Sequence, residues 1–394
     1  MKSSLFGFAV VLFFFGLLAP GSLKAAPQEK EWTFLVFLNG HNNLDSFGAI
    51  NINQMETVGS TNDLNLVVQW ASMGFGDKTK RLLVTKDNDE SKVTSPIVQE
   101  VPRVDMGDYH AMVEFVKWAH ENYPAKHYFL DIWNHGGGWH RSHTFRDIST
   151  DDYTGNIITT PQMGTAAQEI AKIIGHKLDI MGTDACLMAM AEVGFEVADN
   201  VSYLVASEEV IPGMGWPYHK FVPRWAASPK ATAAEVGKMV DEEYAKFYSS
   251  GSDAADGTLS TMDLSKFAAL NSALYELAQA GQKLSSSDVT KLLSVVSSTQ
   301  GFYFSDYKDL GDLVANLKKA GISAFSPAIF THVETAMKSF MVDSQVTPSF
   351  KKATGVSIWM PSSKSTYSAY SNRYKLLKFP GATGWQSMLE WIFK

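Results

Sequence analysis

The chain has 394 residues, 45% of them hydrophobic, with a formal net charge of −7, 10 histidines and a single cysteine. That apolar share supports a real core and excludes a disordered chain, and an acidic balance without clustered Lys/Arg excludes a nucleic-acid footprint. The length suits one large α/β domain or two smaller ones.

At the N-terminus, Lys2 precedes an apolar run from Leu5 to Leu18, followed by Pro20, Gly21 and an exit at Leu23-Lys24-Ala25. This is the pattern of a secretory signal over residues 1–25, removed after Ala25. A retained anchor is the alternative, although the apolar run is short for a membrane span. The expected product is exported (extracellular, periplasmic or cell-surface) and monomeric, with no membrane span once the signal is gone. Losing Lys2 and Lys24 and no acid leaves it more acidic still.

From Trp32 onward, short apolar runs alternate with amphipathic stretches. The runs cover residues 32–38, 64–72, 81–85, 127–133, 178–184 and 201–207, and helical periods cover 46–58, 108–122, 160–174 and 187–199. Strands apolar on both faces and separated by helices predict an α/β fold with a mostly parallel central sheet flanked by helices. The polar stretch "SSGSDAADG" (249–257) reads as a boundary between a core at 26–250 and a C-terminal α/β region at 251–394. In that region we expect strands at 258–264 and 354–361 and helices at 265–280, 287–296 and 306–320. A short closing helix is expected at 384–393.

The stretch "WNHGGGWHRSH" (133–143) admits three chemistries. A glycine-rich oxyanion loop of a serine esterase also needs a G-x-S-x-G elbow, and the nearest attempts, around Ser323 and Ser357, lack the closing glycine. A metal site is poorly served by His135, His140 and His143: their spacing is wrong for one helix face, and no Cys pair completes a tetrahedral set. His140 and His143 are expected to be solvated loop residues. The third chemistry is one catalytic histidine with a partner elsewhere.

Cys186 offers that partner. A lone cysteine in an exported chain is inert and buried, an intermolecular partner, or a nucleophile. Cys186 closes the apolar run "KLDIMGTDAC" as His135 closes "HYFLDIWNH", so in a parallel sheet both lie on the carboxyl edge, where such proteins place their sites. With the helix expected from Leu187, the helix N-terminus would favour thiolate and the imidazole would move protons. Glycines after His135 leave backbone N–H groups for an oxyanion. A buried cysteine ending a strand beside a capping histidine remains the structural alternative.

With these residues in place, the chain resembles the clostripain family of cysteine peptidases, within the group of caspase-like folds. The resemblance covers nearly all of the mature chain. It rests on "WTFLVFLNGHNNLD", "NHGGGW", "DACLMAMAEVGFEVAD", "VASEEVIPGMGWPY", "LSTMDLSKF" and "GVSIWMP" in this order. Caspases themselves differ, with Q-A-C-R-G at the nucleophile where this chain has Asp184-Ala185-Cys186-Leu187.

The resemblance implies an endopeptidase acting on proteins or peptides, with Cys186 as nucleophile and His135 as general acid and base. It places the N–H groups of Gly136 and Cys186 at the oxyanion. It further implies cleavage after Arg or Lys, with Asp184 near the floor of the specificity pocket. Glu208 and Glu209 are further acidic candidates, and Trp216 is either a pocket wall or a core residue. Self-processing is implied between the two catalytic residues, with Arg146 or Arg141 as the cut. No cofactor is needed for the chemistry. Calcium stimulation, known in the family, remains open, since Asp147, Asp151 and Asp152 lack the spacing of a calcium loop and read as a solvated acidic loop. The opening turn reads His41-Asn42-Asn43 where the family usually has an acid before the asparagine pair, a departure from its pattern. The reading from a different class is a catalytically silent peptide-binding homologue with the same pocket.

Overall fold

The computed structural model describes residues 27–141 and 146–394. The expected signal at 1–25 and the segment that holds His143 lie outside the described residues.

The strands, in chain order, are β1 (Lys30–Gly40), β2 (Leu64–Ser72), β3 (Lys78–Leu83), β4 (Ile97–Pro102), β5 (Ala125–Trp133), β6 (Gly136–Arg141) and β7 (Arg146–Ile148). Then come β8 (Leu178–Gly182), β9 (Val201–Ala206), β10 (Thr258–Asp263), β11 (Tyr307–Asp309), β12 (Met341–Val346) and β13 (Ser357–Trp359). One sheet has nine strands in the order β12-β10-β9-β8-β5-β1-β2-β3-β4. The central pairs β9/β8, β8/β5, β5/β1 and β1/β2 are parallel, and antiparallel pairs occur only toward the two edges. The mostly parallel α/β fold expected from the sequence is the fold observed. Strands from both sides of residue 250 share this one sheet.

The central strands are apolar on both faces because helices cover both. Phe34 of β1 packs on Phe221 and Trp225, whereas Phe37, of opposite parity, packs on Phe115. One layer therefore holds the helices Asp45–Glu56, Tyr218–Ala226 and Ala233–Tyr248, and the other begins with Tyr109–Asn122, Thr160–Ile174 and Ala191–Val197. The helix Thr160–Ile174 shows how local sequence sets these boundaries. Thr159 and Gln162 form a capping box, proline sits in the first turn, and Gly175 closes the helix at φ 83°.

The C-terminal region does more than extend the chain. Its strands β10 and β12 pair antiparallel beyond β9, and β11 with β13 forms a separate ribbon bridged to Met190. The strand expected at 354–361 is thus confined to Ser357–Trp359 and lies outside the main sheet. The helix expected from 306 begins at Leu310, because Tyr307–Asp309 are held in β11. Glu192 ties this region to the core: it is buried and accepts from Trp359 N–H and Tyr374 O–H, each at 2.9 Å.

Arg373 makes a second tie. Its Nε donates to Trp139 O at 2.8 Å, and its guanidinium also bonds the buried Asp147 carboxylate. Arg373→Met would leave Asp147 without that cation. Stability should fall by about 3 kcal/mol, read as a lower denaturation midpoint at unchanged m-value.

Candidate active site

His135 stands two residues beyond β5, and Cys186 stands four beyond β8. These strands are adjacent and parallel, with Asp131 level with Gly182. Each site residue follows its register partner by four positions, so they leave the sheet edge together. The Asn134 N–H donates to Asp184 O at 3.2 Å and keeps the two segments side by side past the ladder. His135, Cys186 and Asp184 line one cavity of about 170 Å³, with Ile211 and Gly215 on its wall. That volume suits one side chain rather than a whole small-molecule ligand, which needs roughly 300 Å³ or more. A larger surface hollow of about 540 Å³ beside Arg224 and Lys238 lies away from these residues, and Arg224 is already paired with Glu242.

The Cys186 thiol is nearly buried, and its Sγ accepts from Ile211 N–H at 3.4 Å. Burial pushes it up to about 12, with the charges of Asp184 and Glu209 acting the same way and the N–H groups of Ile211 and Gly136 opposing. The expected help from a helix N-terminus is missing. That helix begins at Ala191 rather than Leu187, because residues 187–190 turn across the sheet edge, with Leu187 N–H bonded to Glu209 O and Ala189 N–H to Ser207 O. Leu187 takes φ 64°, a left-handed conformation costing a branched residue about 1–2 kcal/mol. The resting state is a neutral thiol on a strained turn.

His135 is half-buried, and its Nε2 lies 2.6 Å from Asn43 Oδ1. An amide oxygen accepts, so Nε2 carries the proton and the lone pair is on Nδ1. Burial holds its pKa below the ordinary imidazole range, against the opposing charge of Asp152. Gly136 comes so close to the Cys186 backbone that a Cβ there would lie 2.4 Å from Cys186 O. Only glycine brings this N–H to the thiol.

Asp184 is buried beneath the cavity. Its Oδ2 accepts from Trp216 N–H at 2.8 Å and lies 2.9 Å from Tyr218 Oη, while Oδ1 is buried with no partner. Gly215, at φ 67°, passes so close that a Cβ would stand 2.6 Å from Asp184 Oδ2. Burial raises the Asp184 pKa well above its ordinary value, and the neighbouring Asp131 carboxyl raises it further.

Other expected residues lie elsewhere. Trp216 is a core residue packed near Phe129 and Phe221, and what it lends the site is its backbone N–H. Glu208 is fully buried outside the cavity, its Oε2 accepting from Gly355 N–H at 3.0 Å. Glu209 is half-buried, its Oε1 accepting from Val210 N–H at 2.8 Å, and reaches the thiol only as a nearby charge.

His140 is not a solvated loop residue. It is buried in β6, its ring stacked on Tyr370 at 4.0 Å with Nε2 3.3 Å from Asp306. Of the "DISTDD" acids, Asp152 is exposed as expected, but two turn inward: Asp147 meets Arg373, and Asp151 Oδ2 lies 2.8 Å from His41 Nδ1. The backbones of Arg141 and Arg146 face each other across the β6/β7 pair.

Sequence reasoning missed Asn43, Asp131 and Tyr218. Asp131 carried a usable signal, since a lone acid inside the apolar run "HYFLDIW" is either paired or functional.

A model of the clostripain family matches residues 36–391. The chain belongs to the clostripain family. It is accordingly a cysteine peptidase, a hydrolase of peptide bonds in proteins or peptides. Clostripain of Hathewaya histolytica is 24% identical over 89% of this chain and 78% of that protein. Among solved structures, a secreted C11 cysteine protease from Bacteroides thetaiotaomicron in complex with an irreversible peptide inhibitor matches with TM-score 0.69 and 22% identity, over 90% of this chain and 99% of that one. An inactive zymogen C11 protease from Parabacteroides distasonis matches with TM-score 0.70 and 18% identity, over 91% and 99%. The fold of this clostripain-family chain is the one those proteases share. Among the described residues, no helix is long and apolar enough to cross a membrane.

Proposed function

We propose that this peptidase is an exported endopeptidase that cleaves after Arg or Lys, with Cys186 as nucleophile and His135 as general acid and base. The observation that carries this reading is the sharing of one side-chain-sized cavity by a thiol, an imidazole and an unpartnered carboxylate oxygen. The P1 side chain enters the cavity, and its cation meets Asp184 Oδ1. His135 takes the thiol proton on Nδ1 as Sγ attacks the scissile carbonyl carbon. Negative charge develops on the carbonyl oxygen toward the N–H groups of Gly136 and Cys186. His135 then returns the proton to the leaving amine, and water, deprotonated by the same imidazole, hydrolyses the thioester.

The resting groups suit a proton taken during attack rather than a standing ion pair. With the thiol near 12 and the imidazole held low, both are neutral at neutral pH. Activity is therefore lost as the pH falls through the depressed His135 pKa and His135 becomes charged. Asn43 fixes the imidazole tautomer. Asn43→Ala removes a hydrogen bond worth about 1.4 kcal/mol and should lower kcat about tenfold with little change in KM.

We further propose self-processing after Arg146 or Arg141. Arg373 supports a cut that leaves the protein assembled, because it grips Trp139 O upstream and Asp147 downstream. Export rests on the N-terminal residue pattern and agrees with the secreted relative. The chemistry uses only the chain's own groups. Calcium stimulation remains a proposal from the family resemblance, and Asp147 and Asp151 are already committed to Arg373 and His41. Fluorogenic peptides differing only at P1 test the specificity. Arg and Lys peptides should be cleaved far faster than Gln or Leu peptides, and equal rates would refute the pocket assignment.

A further inference from the structure

Tyr218 Oη lies 2.7 Å from Asp131 Oδ2 and 2.9 Å from Asp184 Oδ2. A phenol has one hydrogen, and an ionised carboxylate only accepts. With both acids ionised, one of these two contacts would set lone pair against lone pair in the protein interior. The remaining bonds favour one oxygen for the extra proton. Asp131 Oδ1 accepts the Asp184 N–H at 3.0 Å, and Asp184 Oδ2 already accepts Trp216 N–H. A hydroxyl oxygen accepts less well than a carboxylate oxygen, so the proton is better placed on Asp131 Oδ2, which takes no backbone N–H, than on Asp184 Oδ2: Asp131 Oδ2–H then donates to Tyr218 Oη and Tyr218 O–H donates to Asp184 Oδ2. Asp184 Oδ1 is then the one oxygen without a partner, and Asp184, not Asp131, lines the cavity.

We propose that Asp131 is a specificity-determining positioning residue: held as a neutral acid, it works through Tyr218 to leave Asp184 as the single charged acceptor for a cationic P1 side chain. This rests on the reading of Asp184 as the pocket acid and adds the group that decides its charge.

The surroundings favour neutralising one acid. Among the described residues, no Lys, Arg or His pairs with either carboxylate. The titratable groups around them are Tyr218, Tyr244 and Tyr248 on the covering helices, with Cys186 and His135 across the cavity. None supplies a resident positive charge, since His135 is held toward its neutral form. Burial raises both acids, so an empty pocket favours protonation of Asp184 as well. A cation entering the pocket takes the place of that second proton, which leaves to solvent, while the proton on Asp131 stays. Affinity for Arg or Lys at P1 therefore rises with pH through the raised Asp184 pKa, and affinity for a neutral P1 does not.

Two measurements test this. In the wild-type protein, carbon-13 NMR of the Asp131 carboxyl, assigned through its backbone, should show the neutral acid at pH 6, since burial pushes its pKa up to about 7. An ionised Asp131 there would overturn the proposal without reference to turnover. In the P1 peptide series, Asp131→Leu should reduce the preference for Arg over Gln at least tenfold, and Asp131→Asn should restore most of it. Asparagine keeps a donor for Tyr218 Oη and an acceptor for the Asp184 N–H while carrying no charge. If Asp131→Asn is as impaired as Asp131→Leu, the charge on Asp131 is required and the proposal fails. If neither wild type nor variant prefers a basic P1, the pocket reading fails instead, and the carboxyl signal still reports the proton. Should Asp131→Leu not fold, the wild-type NMR result decides.

Discussion

Cys186→Ala is expected to abolish peptide cleavage, lowering kcat by about 10⁴-fold or more while the protein remains folded. Loss of a nucleophile removes the covalent route altogether, and what survives comes only from binding and oxyanion contacts. The substitution takes away one neutral sulfur that meets the N–H groups of Ile211 and Gly136, so no buried charge is stranded and packing changes little. If self-processing occurs, the variant should also stay a single chain under conditions that convert the wild type. A folded Cys186→Ala protein that retains wild-type cleavage would place the chemistry elsewhere.

Asp184→Asn carries the second largest effect. On the proposed specificity, the P1 guanidinium or ammonium loses its water on entering the cavity, and a neutral amide cannot balance its charge. Removing one partner of a buried charge pair costs about 3–5 kcal/mol, or about 10²–10⁴ in kcat/KM for Arg and Lys peptides. Gln and Leu peptides never used that charge and should change less than tenfold. The ratio between the two classes separates loss of specificity from a general defect. Because Asp184 Oδ2 is held by Trp216 and Tyr218 while Oδ1 is unpartnered, the substitution spares part of the local bonding.

Much of this architecture was legible because buried parallel strands write themselves as unbroken apolar runs. Leu64–Ser72 and Thr160–Ile174 were found to the residue, the latter because its capping box and terminal glycine are local signals. The helix Ala233–Tyr248 was not found although its capping box at Thr232 and Glu235 is a local signal, and segments governed by tertiary contacts were not found either. The helix Tyr218–Ala226 contains a proline, and β12 reads "MVDSQV", a half-buried strand near the sheet edge with no clear period. The helix expected at Leu187 starts late because hydrogen bonds to Ser207 and Glu209, far along the chain, hold the turn open. Spacing from strand ends was enough to bring His135 and Cys186 to one edge. It did not reveal Asn43, which meets His135 only because β1 lies beside β5. Nor did it separate Asp184, whose carboxylate serves the cavity, from Glu208, which is buried against Gly355.

The placement of the nucleophile is tested most directly by covalent labelling. The protein is treated with an irreversible electrophilic peptide bearing Arg at P1, in step with residual activity, and the adduct is located by mass spectrometry. One adduct per chain on Cys186, accumulating as activity disappears and slowed by competing Arg peptide, is the expected result. Complete inactivation with Cys186 unmodified would contradict the account.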